Sequence, residues 1–193
     1  MDRYYTNDEL LGLGLGKIGV NVKLDRSAVL INPGGISVGD HTRIDAFTLI
    51  SAFGPGVTVG RNVHISAGAY IFGGGGVSIE DFAAISARCM IYSVNDDYSG
   101  EHMTGPIVPA EFTAVTAAPV RIGRHVVVGS GSVVLPGITF GEGSASGALS
   151  LVKEDVPPFT IVAGTPARAV KERSRRLLEL EGEFWQLRKG LLS

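Results

Sequence analysis

Four histidines, at positions 41, 64, 102 and 125, are the side chains of this chain best suited to move a proton near neutral pH. His41 and His125 each follow an aliphatic residue by three positions, Val38 and Ile122, where Asn62 and Phe82 stand in equivalent segments. That place reads as an outward, solvated corner. His102 lies in a polar stretch together with the adjacent acids Asp96 and Asp97 and with Tyr98. His64 closes a six-residue unit, on an outward flat side that can face a neighbouring subunit. A carboxylate beside a histidine base orients the ring and stabilises its charged form, and Asp97 is the preferred candidate for that role. Adjacent acids in a loop otherwise cap turns. The histidines are each more than 20 residues apart and no cysteine cluster accompanies them, so no metal site is expected. Cys89 is the single cysteine, which excludes an intrachain disulfide and reads as buried filler in a reducing, cytoplasmic compartment.

These residues are carried on a six-residue beat that runs from about residue 18 to residue 157. It is visible in Val38-Gly39-Asp40-His41-Thr42-Arg43 followed by Ile44-Asp45-Ala46-Phe47-Thr48-Leu49, and again from Val59, Ile79 and Ile122. Neither a helix of period 3.6 nor an amphipathic strand of period 2 keeps one aliphatic residue every six positions. A three-sided coil does, each side one short strand and a corner, with the aliphatic residue inside and a small residue four later beside it. The starts at Val38, Val59, Ile79, Ile122 and Phe140 are 21, 20, 43 and 18 residues apart, so coils of 18 residues carry small insertions and one insertion of 25. The fold class is therefore an all-β solenoid. Gly and Asp are expected to take the corners, which accounts for the 27 glycines.

A content of 45% hydrophobic residues and a positive mean hydropathy exclude a disordered chain, and a net charge of −2 gives no case for nucleic acid or an anionic membrane. No apolar run is long enough for a membrane span, and the N-terminus has no apolar signal region. One domain is expected over 1–193. Residues 1–17 form an N-terminal segment with a helix start at Thr6, and 18–165 form the coils, interrupted by a loop over 92–119. Residues 166–193 form a helical segment, its helix roughly at 170–189 with Leu177, Leu180, Phe184 and Leu187 on one face, widened by Leu178 and Trp185. A solenoid buries little surface away from its shaft, so association along its flat faces is expected.

The hexads, the single long loop and the ending Val152-Lys153-Glu154-Asp155-Val156-Pro157-Pro158 with Ala163-Gly164-Thr165-Pro166-Ala167-Arg168 resemble the hexapeptide-repeat acyltransferases. Asn95-Asp96-Asp97-Tyr98-Ser99-Gly100, Val63-His64-Ile65-Ser66 and Gly147-Ala148-Leu149-Ser150-Leu151-Val152 resemble a branch of sugar acetyltransferases of surface-polysaccharide synthesis. The resemblance implies a left-handed parallel β-helix assembled as a homotrimer, with acetyl-CoA in a groove between subunits as acyl donor. It also implies a sugar or nucleotide-sugar acceptor, modified at a hydroxyl or amino group, near the protruding loop. In better-known members a loop histidine is the base; here Asp97 stands at about that place. The resemblance therefore points to His64 as base with Asp97 as its partner, His102 or a loop carboxylate remaining the alternatives, and Asp96, Tyr98 and His102 as acceptor contacts.

For the cofactor, Ser146, Gly147 and Ala148 break the aliphatic pattern at a hexad start, so backbone amides there could approach a pantetheine arm or a thioester carbonyl. Ala163 and Gly164 are similarly suited. Arg168, Lys171 and Arg173 lie where the family holds the CoA phosphates. The rival functions are an antibiotic O-acetyltransferase and a non-catalytic scaffold or sugar-binding surface. A pure scaffold has no need of the polar 25-residue insertion.

Overall fold

Residues 2–192 are described by a computed structural model. The chain winds into six complete coils of parallel strands, stacked so that three flat faces run the length of the molecule. The coil starts read from the sequence pair in register: Val38 lies beside Val59, Val59 beside Ile79, Ile79 beside Ile122 and Ile122 beside Phe140. The first face carries those residues. The second carries Lys23–Leu24, Arg43–Ile44, His64–Ile65, Ala84–Ile85, Val127–Val128 and Ala145–Ser146, and the third begins at Val29–Ile31 and ends at Leu151–Val152.

The shaft is filled by ladders of like residues. On the second face Leu24, Ile44, Ile65, Ile85 and Val128 are all buried, Ser146 interrupts the aliphatic run, and Val162 beside it resumes it. Full burial of each such aliphatic side chain contributes about 1.5–3 kcal/mol, which offsets the ordering of a chain with so little regular structure per strand. Cys89 belongs to the narrower inward ladder, is fully buried, and burial pushes its thiol up to about 11.

The corners match expectation only in part. Gly68, Gly131 and Gly143 take left-handed turns with φ of 69°, 70° and 66°, but in the column of the third residue after the aliphatic one Gly143 stands with His41, Asn62, Phe82 and His125, whose φ are 57°, 55°, 61° and 57°. Stacking holds this left-handed conformation in place, since each such residue donates its amide to the coil below, as His41 does to Val20 at 2.8 Å and Asn62 to Asp40 at 2.9 Å. Glycine is also required where coils approach closely: a Cβ on Gly39 would stand 2.6 Å from the Gly60 carbonyl carbon of the next coil.

Both ends of the stack are closed. At the bottom, helix α1 (Asn7–Leu11) starts on a capping box in which Thr6 and Glu9 exchange hydrogen bonds, and Leu10 enters the core. At the top, Thr160–Gly164 joins the second face and Ala167–Glu172 returns antiparallel to it through the turn at Thr165 and Pro166. Helix α2 (Arg176–Leu192) consequently starts at Arg176 and not near 170, because the last coil exposes an unpaired strand edge that the returning segment satisfies. The helix then seats Glu181, Phe184 and Trp185 on a corner of the stack. Phe184 and Trp185 meet Phe82 edge-on at 5.8 and 5.7 Å, while Leu187 points away and is exposed. His125 lies beneath this helix, stacked on Phe82 and bonded to Glu181 at 2.7 Å, with 11% of its side chain exposed. It is a packing histidine and not a solvated corner.

The insertion over 92–119 is an arm rooted in a short hairpin, Val94–Asn95 paired antiparallel to Thr116–Ala117. Ser93 fastens its base, donating to the Phe72 carbonyl at 2.6 Å and accepting from the Gly75 amide at 2.9 Å. Among the described residues, no helix is long and apolar enough to cross a membrane.

Candidate active site

A groove of about 700 Å³ lies between the root of the arm and the third face. Its floor is apolar, formed by Phe72, Met90, Tyr92, Val133, Leu135 and Leu151, with the Phe72 and Tyr92 rings stacked 4.9 Å apart. Its lip is formed by the arm, which contributes Val94, Asn95, Asp96, Tyr98 and Val115. An apolar floor with a few convergent polar groups is the usual form of a small-molecule site. Asp96 and Tyr98, expected as acceptor contacts, line this groove, and Asn95 joins them. The Asp96 carboxylate, exposed at the lip, is engaged by no other described residue.

Asp97 does not orient His64. Its carboxylate accepts from the Ser99 amide at 3.0 Å, the Ser99 hydroxyl at 2.8 Å and the His102 amide at 3.1 Å. The Ser99 amide and hydroxyl bonds, with the His102 amide, hold its carboxyl down at about 2. A carboxylate so satisfied closes the turn of the arm and is a poor proton acceptor at neutral pH. His102 belongs to this turn, its Nδ1 3.7 Å from Asp97, and its side chain is absent from the groove lining.

His64 is indeed paired with a carboxylate, but with Asp45 one coil below. Its Nε2 lies 2.8 Å from Asp45 Oδ2, on the outward side of the second face. Asp45 is buried, which works against its charge. Bonds from Arg43 at 2.7 Å and from His64 outweigh this and hold its carboxyl below the usual carboxylate range. Arg3 and the Tyr4 hydroxyl reach the same carboxylate at 3.3 and 3.5 Å. Asp45 escaped the sequence reading although a signal was present: Arg43 and His64 share a register, so the residue two after Arg43 had to lie beside the His64 strand.

The proposed cofactor residues separate into two groups. Ser146 is buried and its hydroxyl accepts from the Gly129 amide at 3.1 Å, and the Gly147 amide is spent on Val162 at 2.8 Å, so both serve the shaft. Gly164 donates to Ser150 at 3.2 Å, and Ala163 pairs with Arg168 in the closing strands. Arg173 is not a phosphate ligand: its Nη1 donates to the carbonyls of His125, Gly143 and Ser144, and burial lowers its pKa. Arg168 is tied to Glu154 at 3.2 Å. Ala148 and Lys171 remain exposed and open.

Comparison with known proteins decides the family. The family model "hexapeptide repeat of succinyl-transferase" matches residues 35–72 and 119–145. A dTDP-4-amino-4,6-dideoxy-D-glucose acyltransferase from Escherichia coli is 44% identical over 181 residues, 94% of each chain. The chain belongs to the hexapeptide-repeat sugar acyltransferases. AntD, an N-acyltransferase from Bacillus cereus solved with dTDP and 3-hydroxybutyryl-CoA, superposes with a TM-score of 0.94 at 38% identity, over 98% of this chain and 100% of that one. A variant of AntD holding dTDP-4-amino-4,6-dideoxyglucose and coenzyme A superposes at 0.93, over 96% and 98%. This acyltransferase is thus an enzyme that moves an acyl group from a CoA thioester to a sugar. Its parallel β-helix is the fold those relatives share.

The acyltransferase carries its polar groups on two different faces. Asn95, Asp96 and Tyr98 crown the third face, whereas the His64–Asp45 pair stands on the second.

Proposed function

We propose that this acyltransferase N-acylates the amino sugar of a dTDP-linked hexose, using acetyl-CoA or a closely related thioester, as a cytoplasmic homotrimer supplying surface-polysaccharide synthesis. The observation that carries the reading is the free Asp96 carboxylate at the lip of an apolar groove. A sugar ammonium must lose a proton before it can attack a thioester. Asp96 is placed to bind that ammonium and take its first proton, which frees the lone pair. The amine nitrogen then bonds to the carbonyl carbon, and as the C–S bond breaks the second nitrogen proton passes to the departing thiolate, leaving the amide and free CoA thiol. The flat upper half of the second face, where Ala84, Val127 and Ala145 face outward, suits a pantetheine arm, with Lys171 the open cation for a CoA phosphate. The likeness to relatives that bind dTDP-sugar and CoA supports both halves of the reaction.

His64 is the second reading for the base, favoured by its bond to the buried Asp45, the arrangement that positions a catalytic imidazole. Thiol release from acetyl-CoA with dTDP-4-amino-4,6-dideoxyglucose separates the two. Asp96→Asn is expected to lower kcat by roughly 10²–10⁴ with CoA binding intact, and His64→Ala by less. The opposite ranking transfers the role to His64, and wild-type protein inert toward every amino sugar would sink the reading.

A further inference from the structure

The outward column of the second face changes character along its length. In its first three coils it presents Lys23, Arg43 and His64 in one register, each a strand spacing of about 4.8 Å from the next. From the fourth coil on it presents Ala84, Val127 and Ala145. A protein of net charge −2 has thus gathered cations at one end of the same face that is flat at the other.

The arginines there are held in place in advance. Arg3 donates its Nε to Asp25 at 2.7 Å and Arg43 its Nε to Asp45 at 2.7 Å. Both carboxylates are almost covered, with 7% and 9% of their side chains exposed, while Arg3 and Arg43 keep 54% and 45%. The Tyr4 ring lies between them, 5.1 Å from one guanidinium and 5.9 Å from the other. Buried acids therefore grip Arg43 at its Nε and Arg3 at its Nε and Nη2, the latter reaching Asp45 at 3.3 Å, and leave the other terminal nitrogens without a carboxylate partner among the described residues. The N-terminal segment is anchored by Arg3, by Arg26 on the Asp2 carbonyl and Glu9, and by the Tyr5 amide on Leu24. That anchoring does not explain Lys23, which is exposed and pairs with no described residue, nor the outward turn of Arg43.

We propose that Lys23 and Arg43, with Arg3 beside them, form the subsite for the diphosphate of the nucleotide-linked acceptor. A fixed guanidinium fork meets phosphate oxygens in paired, charge-assisted hydrogen bonds, and a neighbouring lysine adds a point charge. The inference rests on the acceptor reading above and deepens it. The nucleotide lies against the lower coils, and its sugar extends past His64 toward Ala84, two strand spacings or roughly 10 Å above Arg43. CoA also contains a diphosphate, but the flat upper half of the face is where its arm fits.

Calorimetric titration of dTDP and, separately, of CoA into the full-length protein tests this. The variants are Lys23→Gln, Arg43→Gln and, as a control on the first face, Arg121→Gln. Arg43→Gln is expected to raise the Kd for dTDP about tenfold or more and Lys23→Gln severalfold. CoA binding should be unchanged in both, and the control should behave as wild type. Unaltered CoA binding also reports that Arg43→Gln has folded, and Lys23→Gln touches nothing whose loss could unfold the chain. Equal loss of CoA affinity would assign the ladder to the donor and overturn the proposal. Wild type that binds dTDP and acylates the dTDP-linked sugar, with both variants unaltered, overturns the ladder alone. Wild type that does neither overturns the acceptor reading and the ladder with it.

Discussion

Among the described residues, Asp45 joins more of this molecule than any other single carboxylate, accepting from Arg43, His64, Arg3 and the Tyr4 hydroxyl. Removing its charge leaves those donors facing a weak partner in a nearly buried place, so Asp45→Asn is expected to cost about 1–3 kcal/mol. The sign of the pH effect follows from its depressed pKa. The contribution is complete above the ordinary aspartate value near 3.9 and is lost as pH falls below it. Thermal melts from neutral to acid pH should therefore show a steeper acid decline in wild type than in Asp45→Asn, and parallel declines would refute the assignment. The contrast with Asp97 shows what was legible at this scale. Asp97-Tyr98-Ser99-Gly100 is a turn sequence in which the acid bonds two residues on, so the engagement of Asp97 could be read locally. The partnership of Asp45 with His64 is legible only through the register between coils, which sets Arg43 beside His64, and not from any local motif.

Among the elements, the coils were legible and α2 only in part, for the same physical reason. A coil repeats its burial requirement every 18 residues, and so the Val38-to-Phe140 register is written in the chain. The start of α2 is set instead by the need of the last strand edge for a partner, which nothing near Ala167 announces. Its seated face is likewise set by what it meets. Glu181 accepts from His125 at 2.7 Å and from the Trp185 indole at 3.0 Å, and also pairs with Arg124. Burial opposes its charge, but these donors outweigh that and depress its pKa. Glu181→Ala should release the helix from the stack and leave the coils folded. Limited proteolysis between Ser174 and Arg176 should accelerate while the far-UV circular dichroism of the strands persists. An unchanged cleavage rate would mean that the aromatic contacts of Phe184 and Trp185 with Phe82 suffice alone.

Across the whole molecule, the groove and the cationic ladder lie on different faces of a three-sided prism. Acyl transfer needs acceptor, donor and base at one point, and a rigid prism cannot fold one of its faces onto another. A ring of identical chains can, by setting the second face of one protomer against the third face of the next in a contact that closes on itself. The lower coils of the third face are suited to such contact, since Val29, Ile31 and Tyr70 stand outward with 50%, 38% and 42% of their surface exposed. Sedimentation is accordingly expected to give a trimer, and Val29→Glu with Tyr70→Glu a folded, inactive monomer. Mixing two impaired proteins probes the shared site directly. Asp96→Asn disables only the third-face half, and Arg43→Gln only the second-face half. After subunit exchange, some interfaces pair an intact ladder with an intact arm, so activity at limiting acceptor should exceed that of either parent. If each site were completed within one protomer, every chain in the mixture would carry one lesion and the mixture would show only the average of its parents.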